Sequence, residues 1–314
     1  MTTRRARRDA LRRRRERLEP LVYVGARYAH AFLNLLPWSA SRSVARCLGR
    51  LAYLLDSRER RAMALENLRR SFPSWTAAHA EQVLKDVYHH LAVSISDTLS
   101  FVRLVRGTGL DQLVERVGFE KLEGVRRRTG IVFVTGHFGH WEVLGAALPL
   151  LGYPVWSVGR PLRNRLVDRY VRRMRQKTGQ RMLSSRGAML QLIRLLKRGQ
   201  NVGLLVDQDA RKTGVFVDFF GRPASTTPTP ARLAIYTGAP IAFVYARRAG
   251  RASRFRIVLA DLIEPQQQGD PDAEVRRITQ RLTSDLEREI RKAPEEWLWL
   301  HRRWKTYPGK YRPV

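Results

Sequence analysis

His137 and Glu142 stand five residues apart within residues 129–152, TGIVFVTGHFGHWEVLGAALPLLG. A histidine with a carboxylate in reach is the usual apparatus for lifting a proton from a hydroxyl. Whether the two can meet depends on the backbone between them. Along one continuous helix five residues turn through about 500°, leaving their side chains roughly 140° apart. The residues before His137 do not read as helix: 131–134 are β-branched and aromatic between Gly130 and Gly136, the pattern of a buried strand. From His140 onward Trp141, Leu144 and Leu148 recur at helical spacing up to Gly152. His137 is therefore expected on a strand-to-helix loop that can fold the imidazole back toward Glu142 on the first helical turn. The helix start adds backbone N–H groups and a positive dipole end, suited to an anionic centre. The spacing alone equally allows a surface histidine with an acid that lies nearby by chance.

The elements that must position this turn alternate. Residues 155–158, 201–206, 240–246 and 254–259 read as strands, and 164–177, 184–198, 230–236 and 271–292 as helices. Such alternation predicts an α/β fold, a central mainly parallel sheet flanked by helices, with functional residues at the carboxyl ends of strands. His137, Arg160 and Asp207 are expected at three such ends. Residues 211–230 read as a long loop of the kind that is usually functional, with Phe219 and Phe220 as either the lining of a groove or a core pair. Earlier in the chain, Val44, Cys47, Leu48, Leu51 and Leu55 form one apolar helical stripe, a second helix covers 58–72, and a longer one runs from 76 to about 102. His89 and His90 are adjacent and so cannot share a helix face as metal ligands would; no metal and no cofactor are expected.

Charge dominates the composition: 59 Lys and Arg against 28 Asp and Glu, a net +31. Nine of the arginines fall in residues 1–17, so most of the excess belongs to the body. A body so basic implies an anionic partner: nucleic acid, an anionic membrane leaflet, or phosphorylated substrates and acidic carrier proteins. No helix-turn-helix, zinc or RNA-recognition signature accompanies the charge, so nucleic acid is not expected. The lone Cys47 excludes an internal disulfide framework and any cysteine metal cluster. Residues 21–38 are apolar apart from Arg27, His30 and Asn34, which share one helical stripe, and they lack a cleavage site for secretion. Two readings remain open, an interfacial amphipathic helix or a single span that packs its polar stripe against protein. The arginines before it would hold that end at the cytoplasmic leaflet. The organisation expected is a basic disordered tail over 1–19, a membrane-associated helix over 20–38, and one catalytic domain over 39–314.

Five blocks in order carry a resemblance: GHFGHWE at 136–142, GRPLRN at 159–164, DQD at 207–209, VFVDFFGRPASTT at 215–227 and PEEWLWLHRRWK at 294–305. With ENLRRSFP at 66–73, they are similar to the lipid A biosynthesis lauroyl/myristoyl acyltransferase family, within the lysophospholipid acyltransferase superfamily. The resemblance implies an enzyme at the cytoplasmic face of a bacterial inner membrane that moves a fatty acyl chain from acyl carrier protein onto a hydroxyl of a phosphorylated glycolipid, most readily a lipid A precursor. It carries over His137 as general base and Glu142 as its partner. Arg160 is then the candidate donor to a substrate phosphate or to the oxyanion. Asn164, Asp207, Gln208, Asp209, Gly139 and Trp141 complete the expected substrate contacts, with Asp207 and Asp209 open to orienting His137, pairing with Arg160 or binding sugar. Trp297, Trp299 and Trp304 suit either a headgroup interface or the core. Related enzymes acylate phosphatidylinositol mannosides or other lysophospholipids, and those tend to carry Asp at the place of Glu142, which favours lipid A. Outside the class, Asp207-x-Asp209 at a strand end would suit a metal-dependent glycosyltransferase, which leaves His137 and Glu142 without a role.

Overall fold

The computed structural model describes residues 2–308 apart from 123–124, 126–128, 160, 185–186, 251–253 and 267, with backbone alone for residues 2–17. Its centre is a seven-stranded sheet in the order β1-β9-β8-β2-β5-β3-β4. The strands are β1 (Val114–Val117), β2 (Val132–Thr135), β3 (Val155–Gly159), β4 (Arg181–Ser184), β5 (Asn201–Leu205), β8 (Ile241–Ala249) and β9 (Arg254–Ile263). β8, β2, β5, β3 and β4 run parallel; β9 is antiparallel to β8, and β1 pairs parallel with β9. The mainly parallel α/β architecture is as expected. β2 is buried along its whole length because helices cover both faces of the sheet. Alternation sends Val132 and Val134 into one core cluster and Phe133, after Ile131, into the other.

The helices are α1 (Thr2–Leu35), α2 (Trp38–Leu55), α3 (Arg58–Ser71), α4 (Ala77–Thr108), the single turn α5 (Leu110–Leu113), α6 (Trp141–Leu150), α7 (Arg165–Gln176), α8 (Ala188–Lys197), α9 (Thr229–Thr237) and α10 (Pro271–Lys292). α10 starts on an N-cap, the Asp270 side chain accepting from Asp272 N, with Pro271 at its first position. Val275, Ile278, Leu282, Leu286 and Ile290 give it the buried stripe that their spacing predicts.

Several expectations need correction. Residues 211–230 are not a loop but mostly an antiparallel hairpin, β6 (Val215–Phe219) with β7 (Arg222–Thr226). Its two-residue turn is Phe220-Gly221, both at positive φ, 56° and 69°, the left-handed pair that a tight hairpin demands. Phe220 holds this unusual conformation with its amide donating to Glu287 Oε2 at 2.6 Å. Phe219 and Phe220 are buried as a core pair against Trp297, Trp299 and Phe72. Trp297 and Trp299 are likewise buried, so they pack the core and do not meet headgroups. At the N-terminus, α1 runs from Thr2 to Leu35 and includes the arginine-rich residues. Among the described residues no helix is long and apolar enough to cross a membrane. The polar stripe of α1 does turn toward protein: His30 contacts Tyr170 Oη and Leu99 O, and Asn34 Oδ1 accepts from Arg103. α2 is reversed relative to its pattern, since it buries Ser41, Ala45 and Gly49 and leaves the leucine stripe outside.

Candidate active site

β2 and β5 are neighbours in parallel register, Thr135 opposite Leu205, and Val206 N donates to Thr135 O. The residues that follow each strand therefore emerge side by side. His137 leaves β2 and Asp207 leaves β5, and the Nδ1 of His137 lies 2.8 Å from Asp207 Oδ1. The His137 amide donates to Asp207 Oδ2, also at 2.8 Å, so one carboxylate holds both the ring and the backbone of the same residue. Trp297 Nε1 donates to the same Oδ2 at 2.8 Å. The Asp207 side chain is sealed from solvent while the His137 side chain keeps 20% exposure. Bonded this way, Nδ1 carries the proton and Nε2 presents its lone pair outward.

The electrostatics agree with that geometry. Burial alone would lower the His137 pKa, but the Asp207 charge and hydrogen bond outweigh it, with Glu142 adding to them, and the imidazole titrates above its ordinary value. Burial alone would raise Asp207, yet His137 and, more distantly, His301 bring it well below the usual carboxylate range. An imidazole on a buried carboxylate at a strand end is an arrangement for general-base work on a substrate hydroxyl.

The C-terminal segment clamps the turn from outside the sheet. Leu298 N donates to His137 O, Gly139 N donates to Glu296 O, and Phe138 bridges Trp297. Arg247 forks onto Glu296 at 2.8 and 3.0 Å, which fixes the clamp to β8. His301 lies beneath, with Nε2 at 3.0 Å from Asp207 O and Nδ1 at 2.6 Å from Leu298 O. Gly139 has φ +59°, and a Cβ there would meet Ala246 O at 2.2 Å, so the turn needs glycine at this position. On the far side His140 is fully enclosed, with its Nδ1 3.7 Å from Asp97 Oδ2. Asp97 itself accepts from Trp38 Nε1 at 3.0 Å and from Arg248 Nη1 at 2.7 Å. His90 Nε2, from α4, reaches Gly139 O at 3.0 Å.

The expected site residues divide accordingly. Glu142 is on the first turn of α6, as expected, but its hydrogen-bonding partner is Arg175 and not His137. Arg175 Nη2 donates to Oε1 at 2.6 Å and Nε to Oε2 at 3.1 Å, with both side chains about a third exposed or less. The helix phase points the carboxylate at α7, so the acid bonded to His137 is Asp207, 70 residues away. Trp141 stands edge-on to the imidazole, ring centres 5.4 Å apart. Asn164 is the N-cap of α7, accepting from Leu166 N and Val167 N, while its amide donates to Glu19 O of α1. Gln208 is exposed beside the site; Asp209 accepts from Thr306 Oγ1 at 3.0 Å. Arg160 lies outside the described residues. Both oxygens of Asp207 accept from His137 or Trp297, which removes the carboxylate pair on which a metal-held nucleotide sugar would depend.

Sequence reasoning missed Trp297, His301, Asp97, His90 and Arg175. The WLWLH run was visible in the closing block, yet nothing in its spacing says that an indole N–H aims at a carboxylate 90 residues earlier. The mainly parallel α/β sheet thus presents a carboxylate-held imidazole at its strand ends, an arrangement suited to general-base chemistry. The sequence profile of the bacterial lipid A biosynthesis acyltransferases matches residues 14–306, and the chain belongs to that family. It is an acyltransferase. It is 27% identical over 254 residues to the lipid A biosynthesis palmitoleoyltransferase of Escherichia coli (strain K12), covering 80% of each chain. To the lipid A biosynthesis lauroyltransferase of the same strain it is 26% identical over 276 residues, 87% of this chain and 88% of that one. A phosphatidylinositol mannoside acyltransferase of Mycobacterium tuberculosis (strain CDC 1551 / Oshkosh) is 28% identical over 180 residues, 56% of this chain and 54% of its own length.

Proposed function

We propose that the protein transfers a fatty acyl chain from acyl carrier protein to a hydroxyl of a phosphorylated lipid A precursor at the cytoplasmic face of a bacterial inner membrane. The observation that carries the chemistry is the His137–Asp207 pair at 2.8 Å, with the outward nitrogen free of that bond. His137 Nε2 accepts the proton of the acceptor hydroxyl as its oxygen attacks the thioester carbonyl. Asp207 stays ionised and steadies the imidazolium that forms. The tetrahedral oxyanion collapses, the carbon–sulfur bond breaks, and the proton on His137 passes to the departing thiolate. No acyl-enzyme is needed; Cys47 is exposed on α2.

The start of α6 supplies N–H groups and a positive dipole end at this turn, suited to the oxyanion. Glu142, fixed by Arg175, adds negative charge near the imidazolium. Arg160 is proposed to meet an acceptor phosphate, and Arg165, Arg169 and Arg173 are exposed on α7, the helix whose Arg175 holds Glu142. Lipid A is preferred over phosphatidylinositol mannoside because the lipid A relatives align over 80% or more of this chain and the mannoside relative over 56%.

The test is purified protein in detergent, acyl-loaded carrier protein and a tetra-acylated lipid A precursor, read by mass spectrometry for one added chain. Transfer that vanishes in His137→Ala supports the reading. Equal activity in that variant overturns the mechanism, and transfer to a phosphatidylinositol mannoside alone overturns the acceptor.

A further inference from the structure

α2 has three faces where an ordinary amphipathic helix has two. Its inner face is small: Ser41, Ala45 and Gly49 are buried at four-residue spacing against α4. Ser41 Oγ meets Ser96 Oγ at 2.8 Å, and a Cβ at Gly49 would strike Tyr88 O at 2.7 Å, so the two backbones are in near contact. Its second face is apolar and exposed: Leu48, Leu51, Leu54 and Leu55 keep 52, 48, 60 and 76% of their surface, beside the exposed Cys47. Its third face is Arg42, Arg46 and Arg50, again at four-residue spacing, with the last two exposed. α1, which contacts α2, buries Leu33 but likewise leaves Leu21, Val22, Phe32 and Leu35 outside, while His30 and Asn34 bond to α4.

We propose that the leucine face of α2 is a bilayer-contacting surface that lies in the plane of an anionic membrane, with Arg46 and Arg50 at the headgroups. An exposed apolar patch of this extent, rimmed by cations, is the signature of an interfacial helix. The three arginines prevent α2 from crossing, and no described helix is suited to do so. The other occupants fit the chemistry less well. An acidic carrier protein would satisfy the arginines and leave the leucines in water. A second copy would set one +31 surface against another. α2 is also not a loose tether: the Ser41 and Gly49 contacts seat it on α4, and Trp38, its first residue, donates to Asp97, the carboxylate that faces His140 of the catalytic turn. Its apolar face thereby sets the attitude of the strand ends toward the membrane. The inference takes its bilayer from the membrane location proposed above.

Cys47 is the only cysteine, is exposed and adjoins the leucine face, so it is a native position for a probe. The full-length protein carrying an environment-sensitive nitrobenzoxadiazole label there is mixed with phosphatidylethanolamine/phosphatidylglycerol vesicles. The expected result is a blue-shifted emission, quenched by spin-labelled acyl chains. The same label on the arginine face, through Arg50→Cys in a Cys47→Ser background, stays closer to its emission in water. Leu51→Gln with Leu54→Gln lowers vesicle partitioning on the order of tenfold or more while leaving acyl transfer to a detergent-dispersed acceptor in place. Emission at Cys47 that does not change with vesicles overturns the proposal, whether or not the protein sediments with them. So does a shift produced without lipid by carrier protein or by raised protein concentration. Because the readout is emission, the surface can fail while acyl transfer stands, and acyl transfer can fail while the surface stands.

Discussion

Asp207 and Asp97 are both buried, lie on either side of the turn from Gly136 to Trp141, and each faces a histidine of that turn. Their consequences differ because of what else each carboxylate holds. Asp207 binds the His137 ring, the His137 amide and the Trp297 indole, and among the described residues no guanidinium is hydrogen-bonded to it, although the buried Arg303 feels its charge. Its charge is therefore felt by the imidazole, which rises above its ordinary pKa. Asp97 is bonded to Arg248 and Trp38, with Arg42 and Arg248 stacked on the Trp38 ring at 4.7 and 4.1 Å. Burial lifts the Asp97 pKa, and Arg248 and Arg42 oppose this without reversing it. His140, 3.7 Å away, is pushed well below its ordinary value by burial, with His90 and the arginines adding to the effect. At neutral pH it is uncharged, so that close approach is a packing contact and not an ion pair. Two Asp–His contacts three residues apart thus leave one imidazole raised and the other lowered in pKa, burial setting the second while Arg248 holds Asp97.

The comparison breaks most visibly at His137. His137→Ala is expected to lower turnover by about 10²–10⁴-fold while leaving the melting temperature near that of the parent. Asp97→Ala reverses the pattern: disrupting a buried charge pair costs about 3–5 kcal/mol of stability, read by denaturant unfolding. If Asp97→Ala instead unfolds at the parental midpoint, the structural role given to Asp97 is wrong.

The next effect is one of pH. His137 must be neutral to accept a proton, so the rate should rise with pH through its elevated pKa. Asp207→Asn removes the main cause that raises this pKa. The acid limb should then move to lower pH and the plateau should fall; a limb that stays in place would detach Asp207 from the base. The stability linkage has the opposite sense for the two partners. Asp207, depressed in the fold, contributes stability that is present above about pH 4 and is lost as pH falls below it. His137, raised in the fold, contributes stability that is present below its ordinary value near 6.5 and is lost as pH rises through its folded pKa. The two descriptions concern one hydrogen bond and do not add.

The smallest structural effect is expected at Glu142. Its pair with Arg175 is partly exposed, so Glu142→Gln should change stability by less than about 1 kcal/mol. It should still slow turnover, by roughly ten- to a hundredfold, and move the acid limb slightly downward, since Glu142 is among the charges that raise the His137 pKa. Loss without any movement of the limb would give Glu142 a role in substrate placement only.

Much of the fold was legible. The strand before His137 is stated by an apolar run between glycines, because it is buried throughout, and the helix after His140 and α10 by helical periodicity, because each buries a stripe. The hairpin over residues 215–226 was hidden by its Gly, Pro and Thr content, and by a Phe where a two-residue turn usually places Asn, Asp or Gly. β4 and β1 are four-residue strands with much exposed surface, too short for a period to register. At α2 the stripe was legible and the side it faces was not: amphipathicity reports that two faces differ, and the apolar one goes inward only if the surroundings are water.

What the amino-acid sequence determined by itself is the local grammar of the site, a buried strand that breaks at Gly136, a loop carrying His137, and a helix starting beside Glu142. Its order of motifs also determined the family. Only the tertiary structure decided which acid serves the histidine. Helical phase turns Glu142 toward Arg175, while the parallel register of β2 and β5 delivers Asp207 to the imidazole from 70 residues along the chain. Strand order is a long-range property, set by how the sheet assembles its core, and five residues of local spacing cannot encode it.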